Sequence, residues 1–191
     1  MADDLGMQGS DVHAKAREVL GFWYALTPEQ HFAKSDRLDQ EIARRFGALR
    51  DAVLASKAEG WRGDPETLLA AIIVLDQFSR NIHRGSAEAF AADALAQELT
   101  LEALDKGWDG GMTGEQKQFL YMPLMHAEDA ALQDLCIDKF EALGDKQSLD
   151  FAHQHAGAII RFGRFPSRNA ALGRESTELE KEYLALPDAG W

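Results

Sequence analysis

Two stretches of the chain gather side chains able to bind an anion. In RFGRFPSRNAALGR (161–174), Arg161, Arg164, Arg168 and Arg174 occur with no carboxylate among them, in a chain whose formal net charge is −12. In LDQFSRNIHRG (75–85), Asp76, Arg80 and Arg84 fall at i, i+4 and i+8, with Gln77 and Asn81 in a second row beside them. A guanidinium is planar, permanently charged and carries its donors in a fork that matches a carboxylate or a phosphate. The same residues have a purely structural use, binding the last carbonyls of a helix or a carboxylate one turn away.

A third stretch, FLYMPLMHAED (119–129), supplies His126, Glu128 and Asp129 as candidate catalytic residues, with His126 or Glu128 as general base. Pro123 should kink or break the helix that carries it. A helix restarting at 124 puts Glu128 inside the stripe of Leu124, Ala131, Leu132 and Leu135. A carboxylate on an apolar face needs a partner, so Glu128 is expected to be buried against Arg80, Arg84, Arg164 or Arg168.

These segments lead to one expected site. Arg80, Asn81, Arg84, Arg164, Arg168 and Asn169 would line a polar pocket among helices, with His126, Glu128 and Asp129 opposite, for a small carboxylate or phosphate ligand. Two other readings use the same residues. One is a helical-array interaction module that clamps an acidic peptide terminus; the other is an arginine network with only a structural role. No particular reaction is specified. His126 and Asp129 at i, i+3 have no second ligand pair, so no metal is expected. A Gly-rich phosphate loop, a G-x-S-x-G elbow and a C-x-x-C pair are all missing, and no cofactor is expected. His155, amid Phe151, Ala158, Ile159 and Phe162, reads as a core histidine bonded to a backbone carbonyl. His153 reads as solvated and Cys136 as core filler.

The elements that must position these residues are helical throughout. Val12, Ala16, Val19, Leu20 and Trp23 form one apolar stripe, and Leu38, Ile42, Phe46, Leu49 and Val53 another. TPEQ (27–30), DPET (64–67) and TGEQ (113–116) carry N-terminal capping signals. No segment alternates with period two for long enough to be a strand. The spacing predicts helices near 11–25, 36–59, 65–83, 86–107, 113–122, 124–143, 147–165 and 176–185, with residues 1–10 a flexible tail and 11–191 a single all-helical domain. Helix 65–83 is apolar all round over LLAAIIVL (68–75) and should lie centrally. The result is an all-α, layered antiparallel array of about eight helices. An internal echo runs through it: FSRNIHRGSAE (78–88) resembles FPSRNAALGRESTE (165–178).

The totals restrict partners. A charge of −12 repels phosphate backbones, so nucleic acid is not expected. An apolar run of eight residues is far short of the ~20 needed to span a bilayer. One cysteine and an acidic, polar N-terminus fit a cytoplasmic protein. No oligomeric state is indicated.

Taken together, VLGFWY, LDQFSRNIHRG, FLYMPLMHAED and RFGRFPSRNAALGRESTELE resemble the bacterial family catalogued as domain of unknown function 924, over about residues 16–188. The resemblance implies an all-helical fold similar to tetratricopeptide-type arrays, and implies no activity. Ser79 stands where the family usually has Pro and Ser167 where His is common, whereas Arg80, Asn81, Arg168 and Asn169 stay in place.

Overall fold

Residues 67–79 form an unbroken buried run, and the fold is built around it. The computed structural model describes residues 2–187, with side chains from residue 11 onward; Met1 of the expected tail and residues 188–191 of the expected domain lie outside the described residues. Every regular element among the described residues is helical, and none is a strand.

The buried run begins in α4 (Pro65–Ile73). Asp64 caps it by accepting from the N–H groups of Glu66 and Thr67, with Pro65 at the first position. The helix then widens into a π-helical segment, Val74–Phe78, and continues as α5 (Ser79–Ile82). Around it stand α1 (Ala2–Trp23), α3 (Asp36–Ala55), α6 (Asp93–Asp105) and α7 (Gly114–Met125). α1, α6 and α7 pack on α4, and α3 packs on the π segment and α5. Contact on several sides explains why this one helix is apolar all round. Each fully buried Leu or Ile there contributes roughly 1.5–3 kcal/mol.

The outer helices show the single stripes expected of them. Ala16, Val19 and Trp23 of α1 and Leu38, Ile42, Phe46 and Val53 of α3 are buried. Phe78 anchors both, with its ring centroid 4.8 Å from Phe46 and 5.6 Å from Trp23. The backbone of α1 is helical from Ala2, ahead of the start near residue 11 that the spacing suggests. The short α2 (Pro28–Phe32) opens on the capping box of Thr27 and Gln30.

The chain departs most from expectation at 86–143. The predicted helix 86–107 is a 3-10 turn, Ala87–Ala89, followed by α6. Pro123 does not end its helix: α7 runs on to Met125, two residues past it. The chain leaves the helix at His126 and restarts as α8 (Ala130–Leu143), capped by Asp129 through the Leu132 N–H at 2.9 Å. Gln133 of α8 reaches back to donate to the carbonyls of Met125 and Ala127, each at 2.8 Å, which the end of α7 would otherwise leave unbonded. α9 (Lys146–Phe162) packs on α8 and α7, and α10 (Glu178–Leu184) lies against the 3-10 turn Pro166–Arg168.

Candidate functional site

The π segment delivers Asp76 to the heart of the site. An i→i+5 turn rotates the following side chains relative to an α-helix, and such single turns recur at functional positions. Asp76 is 1% exposed and both of its oxygens are occupied. Oδ1 faces Nδ1 of His126 at 2.7 Å and Nη1 of Arg80 at 3.0 Å, and Oδ2 accepts from Nε2 of Gln77 at 2.6 Å. Burial alone would raise this carboxyl. The Arg80 guanidinium and the His126 ring outweigh burial and hold it well below the usual carboxylate range.

Arg80 also grips Asp93 with both arms, Nη1 to Oδ1 at 2.8 Å and Nη2 to Oδ2 at 3.0 Å. Asp93 is the first residue of α6, where the helix N-terminus favours a carboxylate. Arg168 arrives from the opposite end of the chain and donates Nη1 to the same Oδ2 at 3.0 Å. Its Nη2 donates to the carbonyl of His126 at 2.9 Å, and its Cζ lies 4.6 Å from the Phe90 ring centroid and 4.7 Å from that of Phe165. The two Arg-Asn turns therefore meet: Arg80 and Arg168 share one carboxylate. Burial and the neighbouring Arg80 push the Arg168 guanidinium down to about 10, against the pull of Asp93, Glu128 and Asp76. Arg80, also buried but flanked by Asp76 and Asp93, shifts upward instead.

His126 sits between these groups, 8% exposed. Burial first, then Arg80, lowers its pKa against the attraction of Asp76 and Asp93. His155 packs with its centroid 6.3 Å from that of His126, and its Nδ1 meets the Phe151 carbonyl at 2.8 Å, the core role expected of it. Burial, with His126 beside it, takes its pKa down to about 3. Cys136 is buried and burial alone pushes its thiol up to about 12, which fits core filler. His153 is exposed.

The other expected site residues form two separate groups. Asn81 and Arg84 both turn to Asp39 of α3, Nδ2 of Asn81 at 2.7 Å and Nε of Arg84 at 2.7 Å. Arg164 donates Nε and Nη2 to Glu180 at 2.7 and 2.8 Å, and Asn169 donates to Ser176 at 3.0 Å and to Glu180 at 3.3 Å. In the first of these groups, Asn81 parts from Arg80 because side chains one position apart on α5 point to different neighbours.

Glu128 corrects its expectation in two respects. With α7 running through Pro123 it lies in the loop before α8, not on an apolar stripe, and its side chain is 26% exposed. Its partner is Arg174, bidentate at 2.7 and 2.9 Å, which was not among the four arginines named for it. Its Oε1 also accepts from the Phe165 N–H at 2.7 Å. Asp129 is exposed and occupied as a cap. Of the four arginines that open 161–174, only Arg161 lacks a carboxylate partner among the described residues; it lies over the Phe162 ring.

Sequence reasoning missed Asp93, Glu180, Asp39 and Arg50. Arg50 is 3% exposed and joins α3 to the Ser79 hydroxyl at 3.0 Å and the Glu88 carbonyl at 3.0 Å. Asp93 carried one signal, a carboxylate set within the apolar run of residues 89–96.

The described residues thus form an all-helical array in which Asp93 bridges Arg80 and Arg168 beside the Asp76–His126 contact. The family model described as a bacterial protein of unknown function (DUF924) matches residues 19–188, and the chain belongs to that family. A solved structure of a protein of unknown function from Agrobacterium tumefaciens is similar, at 36% identity and a TM-score of 0.86, covering 91% of this chain and 98% of that one. No curated protein matches the sequence.

Proposed function

We propose that the protein binds a small anionic molecule, a carboxylate or a phosphate, at the arginine doublet of Arg80 and Arg168 beside His126. The observation that supports this reading is the sharing of Asp93. Two guanidinium groups converge on one carboxylate oxygen, and Arg168 has an Nε with no acceptor among the described residues. Burial and the adjacent Arg80 lower its pKa, and an incoming anion would offset both.

The test is a thermal-shift series with inorganic phosphate, citrate and succinate against wild type and Arg168→Lys. Binding raises stability as RT ln(1 + [L]/Kd), so melting temperature should climb with ligand concentration. Lysine keeps the charge and loses the fork. Affinity should fall at least tenfold, about 1.4 kcal/mol. Equal shifts in both proteins would remove Arg168 from the site.

A second reading has its own observation. Arg80, Arg84, Arg164, Arg168 and Arg174 each already hold a carboxylate. If no anion shifts the wild type, the network is structural; if only peptides with acidic termini do, the interaction module prevails.

A further inference from the structure

We infer that His126 is a general base, held by Asp76 as the Nδ1–H tautomer so that Nε2 accepts a proton from a hydroxyl or water beside the anion at Arg168. The inference deepens the anion-binding reading and depends on it for the substrate, though not for the base itself.

The geometry argues as follows. Asp76 is already held by Arg80 and Gln77, so its carboxylate cannot turn away and stays ionised. Facing such an acceptor at 2.7 Å, Nδ1 of His126 must be the donor, and the lone pair falls on Nε2. That atom has no protein partner among the described residues, and it is not one of the sealed, unpaired buried atoms, so it reaches solvent from a ring only 8% exposed. The backbone is held too, because Arg168 takes the His126 carbonyl and Gln133 the carbonyls on either side of the residue. The contrast with His155 is direct. That ring bonds a backbone carbonyl within its own helix, the usual use of a core histidine.

In the step itself an O–H bond breaks, its electron pair stays on oxygen, and the proton goes to Nε2. The imidazolium so formed rests against the Asp76 carboxylate, while the developing oxyanion faces Arg168 and Arg80. Return of the proton from Nε2 to that oxygen makes the ring neutral again. Asp76 is a positioning residue here: it sets the tautomer and steadies the cation. The charged and titratable groups around the ring are Asp76, Arg80, Asp93, His155 and Arg168.

Diethyl pyrocarbonate, which acylates unprotonated imidazole nitrogens, is the probe. Applied to the full chain at pH 7 with peptide mapping by mass spectrometry, it should modify His126 at least as fast as the exposed His153. Asp76→Leu removes the acceptor opposite Nδ1, so the ring proton is no longer held there and modification of His126 should drop at least twofold with His153 unchanged. Nitrogen-15 spectra of the wild type should show the Nδ1–H tautomer, and they decide the matter without Asp76→Leu if that variant fails to fold. An unmodified His126 beside a modified His153, or an Nε2–H tautomer, overturns the base. Protection of His126 by inorganic phosphate supports both readings. A reactive His126 that phosphate does not protect leaves the base standing and removes the anion site.

Discussion

The triplet Ser-Arg-Asn occurs twice, at 79–81 and at 167–169, and the two copies solve one problem from opposite sides. Arg80 leaves a helix at the centre of the fold and Arg168 leaves a 3-10 turn near the surface, yet both close on Asp93. Their neighbours diverge. Ser79 is buried against Arg50 while Ser167 is exposed. Asn81 reaches outward to Asp39, whereas Asn169, 1% exposed, ties Ser176, Glu180 and Arg174 together. A repeated triplet repeats a set of donors. The frame around each copy decides which donors go inward.

The comparison depends first on Asp93, and its removal should have the largest effect. Asp93→Ala leaves two buried guanidinium groups facing each other without their common counter-ion. A cost of about 3–5 kcal/mol in urea unfolding is expected. A cost near 1 kcal/mol would mean that the pair parts and rehydrates, and that the two turns do not share a site.

The asparagines test the divergence. Asn169→Ala strands Nε of Arg174 and loosens Glu180 at a buried position, so about 1–3 kcal/mol should be lost. Asn81→Ala removes one partly buried bond to Asp39, which keeps Arg84, and about 0.5–1.5 kcal/mol is expected. Equal costs would erase the inward–outward distinction.

Acid titration separates the copies in another way. The Arg164 side chain, joined by the Thr177 N–H, holds the Glu180 carboxyl down to about 2, from an ordinary value of 4.5. A depressed carboxylate stabilises the fold fully above its unfolded pKa and loses that contribution as pH falls through the folded one. The second turn should therefore weaken between about pH 4.5 and pH 2. Melting temperatures across that range should fall less steeply for Glu180→Gln than for wild type. Parallel curves would show that Arg164 contributes no acid-labile stability.

Much of this arrangement was legible in advance, and the parts that were not share a physical reason. Helical periodicity located α1, α3, α4 and α9, because one-sided burial leaves a stripe at 3.6-residue spacing. The capping boxes at Thr27 and Thr113 stood where the residue types put them. Arg80, Arg168 and His126 were recognisable by type. Asp93, Asp39 and Glu180 were not, since a single carboxylate looks the same whether it meets water or an arginine 75 positions away in the chain. The π segment left no mark either; Val74–Phe78 carries the apolar spacing of an ordinary helix. Glu128 was misplaced because no helix restarts at 124: α7 runs past Pro123 to Met125 and α8 begins only at Ala130.

Arg84 gives the smallest effect and the sharpest limit on the comparison. Its Nε and Nη2 hold Asp39 at 2.7 and 2.9 Å, a fork as regular as the one Arg80 makes on Asp93. The side chain is nevertheless 38% exposed, against 12% for Arg168. Geometry alone would rank the two alike. Solvent screening ranks them far apart, because water competes for both charges and the long side chain loses entropy when held. Arg84→Lys keeps the charge beside Asp39 and gives up one of two screened bonds. A loss of about 0.5 kcal/mol is expected, read as a shift in the urea midpoint at unchanged slope. A loss above about 2 kcal/mol would place Asp39 in surroundings as dry as those of Asp93. The first turn would then have two buried anchors where the second has one, and the inward role would no longer belong to Arg80 alone.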